Sequence, residues 1–154
     1  MIYAAKQLLP RFPSLTMALV GGGSLLSALQ SEIAIHKLTN NVRIYPSSSD
    51  TTLFMKRATV LVLPSLNEGM PNVVLEAAMC GVPSIINNFP GADEVVIDGK
   101  TGYIANSEED MVEKIGHVLN HPALAKRMGL RAQEYVSKHF HKRRQEQFIE
   151  ALLS

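Results

Sequence analysis

Two acidic residues eight positions apart, Glu68 and Glu76, lie in the segment PSLNEGMPNVVLEAAMCGVP, residues 64–83. An ionised carboxylate only accepts hydrogen bonds, so a pair of them suits a ligand rich in hydroxyl groups. A carboxylate that accepts from two vicinal hydroxyls, as on a ribose, contributes about 1.5–3 kcal/mol per bond because the acceptor is charged. Between the acids, Gly69 and Met70 lead to Pro71, which suits the first position of a helix because its missing N–H would have no partner there. With Pro71 first, the amides of Asn72, Val73 and Val74 are unpaired donors at the positive end of the helix dipole and could hold an anion such as a diphosphate. Glu68 then precedes the helix, and Glu76 lies in its second turn on the face that carries Asn72. The two acids therefore address different parts of an elongated ligand. Taken singly, each glutamate also reads as a plain loop residue or an exposed helix residue; the constellation carries the information.

A second feature is the run Gly21, Gly22, Gly23 behind an apolar stretch. A strand followed by Gly-x-Gly and a helix opens many nucleotide-binding folds, but the third glycine of G-x-G-x-x-G would fall at Leu26, and no acid ends a second strand about twenty residues on. A dinucleotide-dependent dehydrogenase is disfavoured accordingly. A phosphorylated receiver is disfavoured too, because Pro64 and Ser65, not an aspartate, follow the run Thr59–Leu63. Cys80 ends an apolar helix and reads as core packing rather than as a nucleophile. His117 and His121 are four apart, but Asn120 and Pro122 break the helix there, so a metal pair is not expected. The run Lys138, His139, His141, Lys142, Arg143 and Arg144 reads as a solvated helix end with cations at the favourable terminus, the alternative being contact with anionic lipid headgroups.

These residues need a scaffold, and the apolar pattern supplies one. Leu15–Val20 reads as a buried strand, Leu25–Lys37 as a helix and Val42–Tyr45 as a short strand. Ser49 or Asp50 can cap a helix over Thr52–Arg57. Thr59–Leu63 is a buried strand leading to the helix that starts near Pro71 and ends at Gly81, and Val82–Ile86 is another strand. Pro90, Gly91, Gly99 and Gly102 mark an irregular stretch before a strand at Tyr103–Ile104. Ser107, with Glu108, Glu109 and Asp110 behind it, caps a helix whose apolar stripe is Met111, Ile115, Val118 and Leu119, and further helices are expected over Ala123–His139 and Arg143–Leu153. Strands alternating with helices predict an α/β fold, a doubly wound and mostly parallel sheet with helices on both faces. Its ligand would bind beyond the carboxyl ends of the strands, just after Val20, Tyr45, Leu63 and Ile86. Composition agrees: 154 residues, 46% hydrophobic and 19% charged, can bury a real core without disulfides or a metal. The net charge of +1 argues against a nucleic-acid partner, the single cysteine suggests a reducing compartment, and neither a signal peptide nor a membrane span is visible.

The residues Pro64, Ser65, Glu68, Gly69, Leu75, Glu76, Ala77, Met79, Gly81 and Pro83 resemble the E-x7-E motif of retaining glycosyltransferases of the GT-B fold, in particular family four, within the glycosyl transferases group one. The order Ala78-Met79 is swapped relative to that pattern. Downstream, Gly91, Glu94 and Val95 and then Asp98, Gly99, Thr101 and Gly102 continue it. The resemblance implies that Glu76 binds the ribose hydroxyls of a donor nucleotide and that Glu68 is the catalytic-site acid facing the transferred sugar. It places Gly69, Met70, Pro71 and Asn72 along the sugar and diphosphate, Gly21 and Gly23 at the close backbone approach to the donor, and Tyr45, with Ile44 and Pro46, near the base. It implies a nucleoside-diphosphate sugar of UDP, GDP or ADP type as substrate, with no cofactor and no metal. Residues 1–154 would be one nucleotide-sugar-binding domain that begins one strand late, without the Gly-Arg strand end and Lys of the family and without the acceptor-binding N-terminal domain. Partners implied are that domain or another chain, a glycan or lipid-linked acceptor, and a peripheral membrane surface. Self-association is expected if the central strand is missing: either the first and third strands pair directly or a neighbour fills the gap. Bacterial surface polysaccharide synthesis in the cytoplasm, or at the inner face of the membrane, is the setting expected. A nonenzymatic nucleotide- or sugar-binding module and a GT-B nucleotide-sugar epimerase are the alternatives.

Overall fold

A computed structural model describes residues 1–47 and 51–140. The chain divides into two units, Met1–Ser49 and Asp50–Ser154, and each is built from parallel strands joined through helices.

In the first unit α1 (Ile2–Leu8) precedes β1 (Met17–Val20), α2 (Leu26–Ile35) and β2 (Val42–Tyr45). β1 and β2 pair in parallel from Met17–Val42 to Val20–Tyr45, and α2 supplies the crossover such a pair requires. Ala5, Ile33, Leu38 and Val42 form the core, with Met17, Leu19 and Leu29 packed against it. The strand expected over Leu15–Val20 starts later because the Asn41 amide donates to the carbonyls of Pro13 and Leu15 (3.0 and 2.8 Å) and holds that entry segment outside the ladder. Nor is it buried on both faces: Met17 and Leu19 are half-buried while Ala18 and Val20 are exposed. Among the described residues β1 is paired along one edge.

In the second unit α3 (Thr52–Arg57), β3 (Leu61–Leu63), α4 (Asn72–Met79), β4 (Ser84–Asn87), α5 (Ala92–Val95), β5 (Gly102–Ala105), α6 (Glu108–Asn120) and α7 (Pro122–His139) follow in order. β4 lies between β3 and β5, all parallel. Ser84, Ile85 and Ile86 of this central strand are buried, whereas β3, at the edge, is only half-buried despite its branched aliphatic residues. Among the described residues β1 pairs with β2 in the first unit, and β3, β4 and β5 pair in the second.

Val74, Ile86, Phe89, Ala92, Val95 and Val96 make the main core of this unit. Gly91 in the left-handed region opens α5, a turn hidden in the sequence behind Pro90-Gly91. Ser107 caps α6 as expected, its hydroxyl accepting from the Asp110 amide at 3.1 Å. Pro122 opens α7 after a break at His121. α7 closes on α4, with the Gln133 amide donating to the Met79 carbonyl at 2.7 Å.

The segment Asp98–Gly102 is a closed turn. The Asp98 carboxylate accepts from the Ile104 amide at 2.8 Å, and the hydroxyl of buried Thr101 accepts from the Ile97 amide at 2.8 Å. A Cβ on Gly102 would collide with the Ser84 carbonyl of the neighbouring strand. No helix among the described residues is long and apolar enough to cross a membrane. The helix expected over Arg143–Leu153 and the caps expected at Ser49 or Asp50 lie outside the described residues.

Candidate functional site

The parallel register sets Leu63 beside Ile86, so the loops leaving β3 and β4 start side by side. Asn87 ties them: its amide donates to the Pro64 carbonyl at 2.6 Å. The β3 loop then carries Glu68, half-buried and with no hydrogen-bond or ion-pair partner among the described residues. Gly69 is exposed, and a Cβ there would meet no atom within 4 Å. Nothing in the chain's own packing requires a glycine at that point. Met70 is exposed as well.

Pro71 corrects the expected helix start. It is buried but stands before the helix, with φ −77° and ψ 82°, and Asn72 is the first helical residue. Proline fixes φ alone, and this ψ turns the carbonyl out of the helical direction. The Asn72 amide donates to the Met70 carbonyl at 2.9 Å, an inverse γ-turn about Pro71, and the Val74 amide donates to the Pro71 carbonyl at 2.9 Å. Two of the three amides expected to be unpaired therefore have backbone acceptors. The positive end of the α4 dipole still points into this turn.

Glu76 lies one helical turn beyond Asn72, about 6 Å along the axis. Asn72 is exposed and Glu76 half-buried. One Glu76 oxygen, Oε2, accepts from the Thr51 hydroxyl at 2.9 Å. Cys80, at the end of α4, is half-buried against Met55, Ala77 and Val82. Burial pushes its thiol above the ordinary value, partly offset by the Lys56 charge and reinforced by Glu76. A raised pKa disfavours the thiolate, so packing is the role its surroundings support.

In the first unit Gly21 and Gly23 follow β1 with φ of 152° and 138°, angles that L-residues with a Cβ rarely adopt. The Gly21 amide donates to the Tyr45 carbonyl at 3.0 Å, so Gly21 and half-buried Tyr45 sit together at the carboxyl ends of β1 and β2. Gly21, Gly23, Leu25, Leu26 and Ile44 line a mostly apolar cleft of about 410 Å³ beside that turn. The structure thus gathers Glu68, Gly69, Met70, Pro71, Asn72 and Glu76 at one loop-and-helix corner of the second unit, and Gly21, Gly23 and Tyr45 at one sheet end of the first.

The His117 and His121 rings are 4.4 Å apart, and the carbonyl of His117 lies 2.7 Å from Nδ1 of His121. Among the described residues no group of three His, Cys, Asp or Glu side chains could hold a metal ion. Lys138 pairs with Glu134 at 2.6 Å on the exposed side of α7, while His141–Arg144 lie outside the described residues. Sequence reasoning missed Thr51 and Asn87. Asn87 gave a signal, an amide directly after the buried aliphatics of β4; Thr51, 25 residues from Glu76, gave none.

The family described as glycosyl transferases group 1 matches residues 1–135. A glycosyltransferase of Methanocaldococcus jannaschii, itself uncharacterized, is 32% identical over 123 residues, which cover 78% of this chain and 35% of the relative. A GDP-mannose-dependent α-(1-6)-phosphatidylinositol monomannoside mannosyltransferase of Mycolicibacterium smegmatis is 30% identical over 147 residues, 88% of this chain and 38% of the relative. The chain therefore spans little more than a third of these relatives. The crystal structure of Anabaena HepE in complex with UDP-glucose superposes with a TM-score of 0.84 at 24% identity, over 99% of this chain and 43% of that one. That likeness establishes the fold.

Proposed function

The chain belongs to the glycosyl transferases group 1 family, and from that premise we propose that it is the donor-nucleotide-binding part of an enzyme that transfers a sugar, with retention, from a nucleoside-diphosphate sugar to a hydroxyl of a glycan or lipid-linked acceptor. The observation that carries this reading is the corner at Glu68–Glu76. A half-buried acid without a hydrogen-bond or ion-pair partner among the described residues, a glycine with open space over it and a second acid one turn into α4 follow one another along a single path. An extended donor matches that order: ribose hydroxyls on Glu76, diphosphate toward the α4 N-terminus, and the transferred sugar over Gly69 with its hydroxyls on Glu68.

Each group then has a defined task. Glu76 accepts hydrogen bonds from the ribose and fixes the nucleotide, and Asn72 on the same face offers a side-chain donor toward the diphosphate. The α4 dipole favours the charge that builds on the leaving diphosphate as the bond to the sugar breaks, a stabilisation greater in the transition state than in the ground state. Glu68 orients the sugar ring; a donor-binding role for Gly21, Gly23 and Tyr45 rests on the family resemblance alone. The acceptor site belongs to the N-terminal domain of the longer enzyme or to another chain. The relative named for a phosphatidylinositol monomannoside supports a lipid-bearing acceptor, whereas the setting in the cytoplasm or at the inner face of a membrane rests on the family resemblance alone. The surface-polysaccharide setting rests on the family resemblance, and self-association on the edges of β1 and β3 that have no strand partner among the described residues.

Calorimetric titration with UDP, GDP and ADP tests the reading. One diphosphate binds, and Glu76→Ala weakens it at least about 10-fold, the loss of one charged hydrogen bond. Binding of none of the three, or an affinity untouched by Glu76→Ala, would overturn it.

A further inference from the structure

Resting on the role just given to Glu76, we propose that Thr51 is a positioning residue for that carboxylate and that this contact sets a preference for ribonucleotides over 2′-deoxynucleotides. Thr51 stands at the N-cap of α3, where a threonine hydroxyl ordinarily accepts from an amide of the first turn. Here it does not: Thr51 has helical angles, φ −75° and ψ −13°, and makes no side-chain cap bond. Its hydroxyl donates instead to Oε2 of Glu76 at 2.9 Å. The hydroxyl thus makes a contact to α4 and no cap bond on its own short helix.

Packing makes the contact directional. Met55 of α3 is buried against Ala77, the residue next to Glu76, so α3 is registered on α4 beside the carboxylate. Threonine is stiff at χ1, and its oxygen is aimed by the backbone that Met55 anchors. A free glutamate carboxylate, by contrast, rotates broadly about its last torsion. With Oε2 held, Oε1 and the second lone pair of Oε2 remain in a fixed plane. Two vicinal hydroxyls require acceptors at a fixed spacing and gain from that restraint. A single hydroxyl can follow a rotating carboxylate and gains little.

The test measures affinities of the 154-residue chain for UDP and 2′-deoxy-UDP by calorimetry, or for the matched GDP or ADP pair if that base is the one bound. Thr51→Val lowers affinity for the ribonucleotide about 5-fold, as expected for one lost hydrogen bond, while the deoxynucleotide changes less than about 2-fold. Thr51→Ser, which keeps the hydroxyl, restores the preference. Thermal unfolding accompanies each variant, and Thr51→Ala replaces Thr51→Val if the latter does not fold. Equal losses for both nucleotides, no loss, or failure of serine to rescue would overturn the proposal. Glu76→Ala separates the two levels. If it abolishes the ribo-over-deoxy preference while Thr51→Val keeps it, only the role of Thr51 fails. If the preference survives Glu76→Ala, Glu76 is not the acceptor for the vicinal hydroxyls, and both assignments fall.

Discussion

The segments 64–76 and 98–104 each carry an acid and a glycine near a strand end, but the described hydrogen bonds close the acid of the second and not Glu68 of the first. In the second segment Asp98 accepts the Ile104 amide, Thr101 accepts the Ile97 amide, and Lys114 donates to the Ile104 carbonyl at 2.8 Å. Gly102 is a glycine because the Ser84 carbonyl occupies the place of its Cβ. In the first segment Glu68 has no partner among the described residues, Gly69 faces open space and Asn72 is exposed. Of the two acids, Glu76 is held, by a threonine hydroxyl that makes no cap bond on its own helix. The second segment builds the β5 corner, and the proposed function gives the polar groups of the first to a ligand.

The strongest way to break this contrast is Gly102→Ala. Its methyl group must displace the Ser84 backbone between β4 and β5, an overpacking that costs about 3 kcal/mol. Thermal or urea unfolding should show that loss, while the folded fraction binds nucleotide with unchanged affinity. A stable variant with weakened nucleotide binding would move Gly102 from the folding residues to the binding residues.

The contrast was only partly legible in the sequence. Val42–Tyr45 and Thr52–Arg57 were readable because an apolar run and a helical stretch end at clear polar boundaries. The start of α4 was misplaced by one residue because proline is compatible both with a first helical turn and with the γ-turn found here. α5 escaped notice because its single turn follows Pro90-Gly91, which reads as a break, while its burial depends on contacts with Phe89 and Ile86 that no local pattern reveals. The acids at 68 and 76 were legible by spacing, but which of them has a partner was not, because Thr51 comes from another helix. The Asp98–Gly102 signature was recognisable as family-like, yet nothing in its letters said that its hydrogen bonds close internally.

A smaller test sharpens the folding side. Asp110 accepts from Lys114 at 2.7 Å and from the Asn106 amide at 2.8 Å, joining α6 to the end of β5. The Lys114 hydrogen bond holds its carboxyl below the ordinary value of 3.8, against burial and with help from the Asn106 amide. A lowered folded-state value means that Asp110 stabilises the fold fully above its unfolded pKa. That contribution is lost as pH falls through the lower, folded-state pKa. Asp110→Asn should therefore cost about 0.5–1 kcal/mol at neutral pH and converge on the unmodified chain once the pH has fallen below the lowered folded-state pKa, as read by urea unfolding across the acidic range. A gap independent of pH would mean that shape, not charge, holds this corner.

The smallest expected effect on stability is at Glu68, and it bears most directly on the binding side. Glu68 makes no hydrogen bond or ion pair among the described residues, so Glu68→Ala should leave the unfolding free energy within about 0.5 kcal/mol of the unmodified chain. It can even rise slightly, because a half-buried carboxylate without a partner carries a desolvation cost that alanine removes. Asp98 has the opposite character, since its carboxylate closes the amide of Ile104. A loss above about 1 kcal/mol in Glu68→Ala would put Glu68 in the same class as Asp98 and erase the distinction between the two segments. A neutral result leaves Glu68 as an acid whose half-buried position at the β3 loop has no folding purpose, which is what an acceptor for the hydroxyls of a transferred sugar requires.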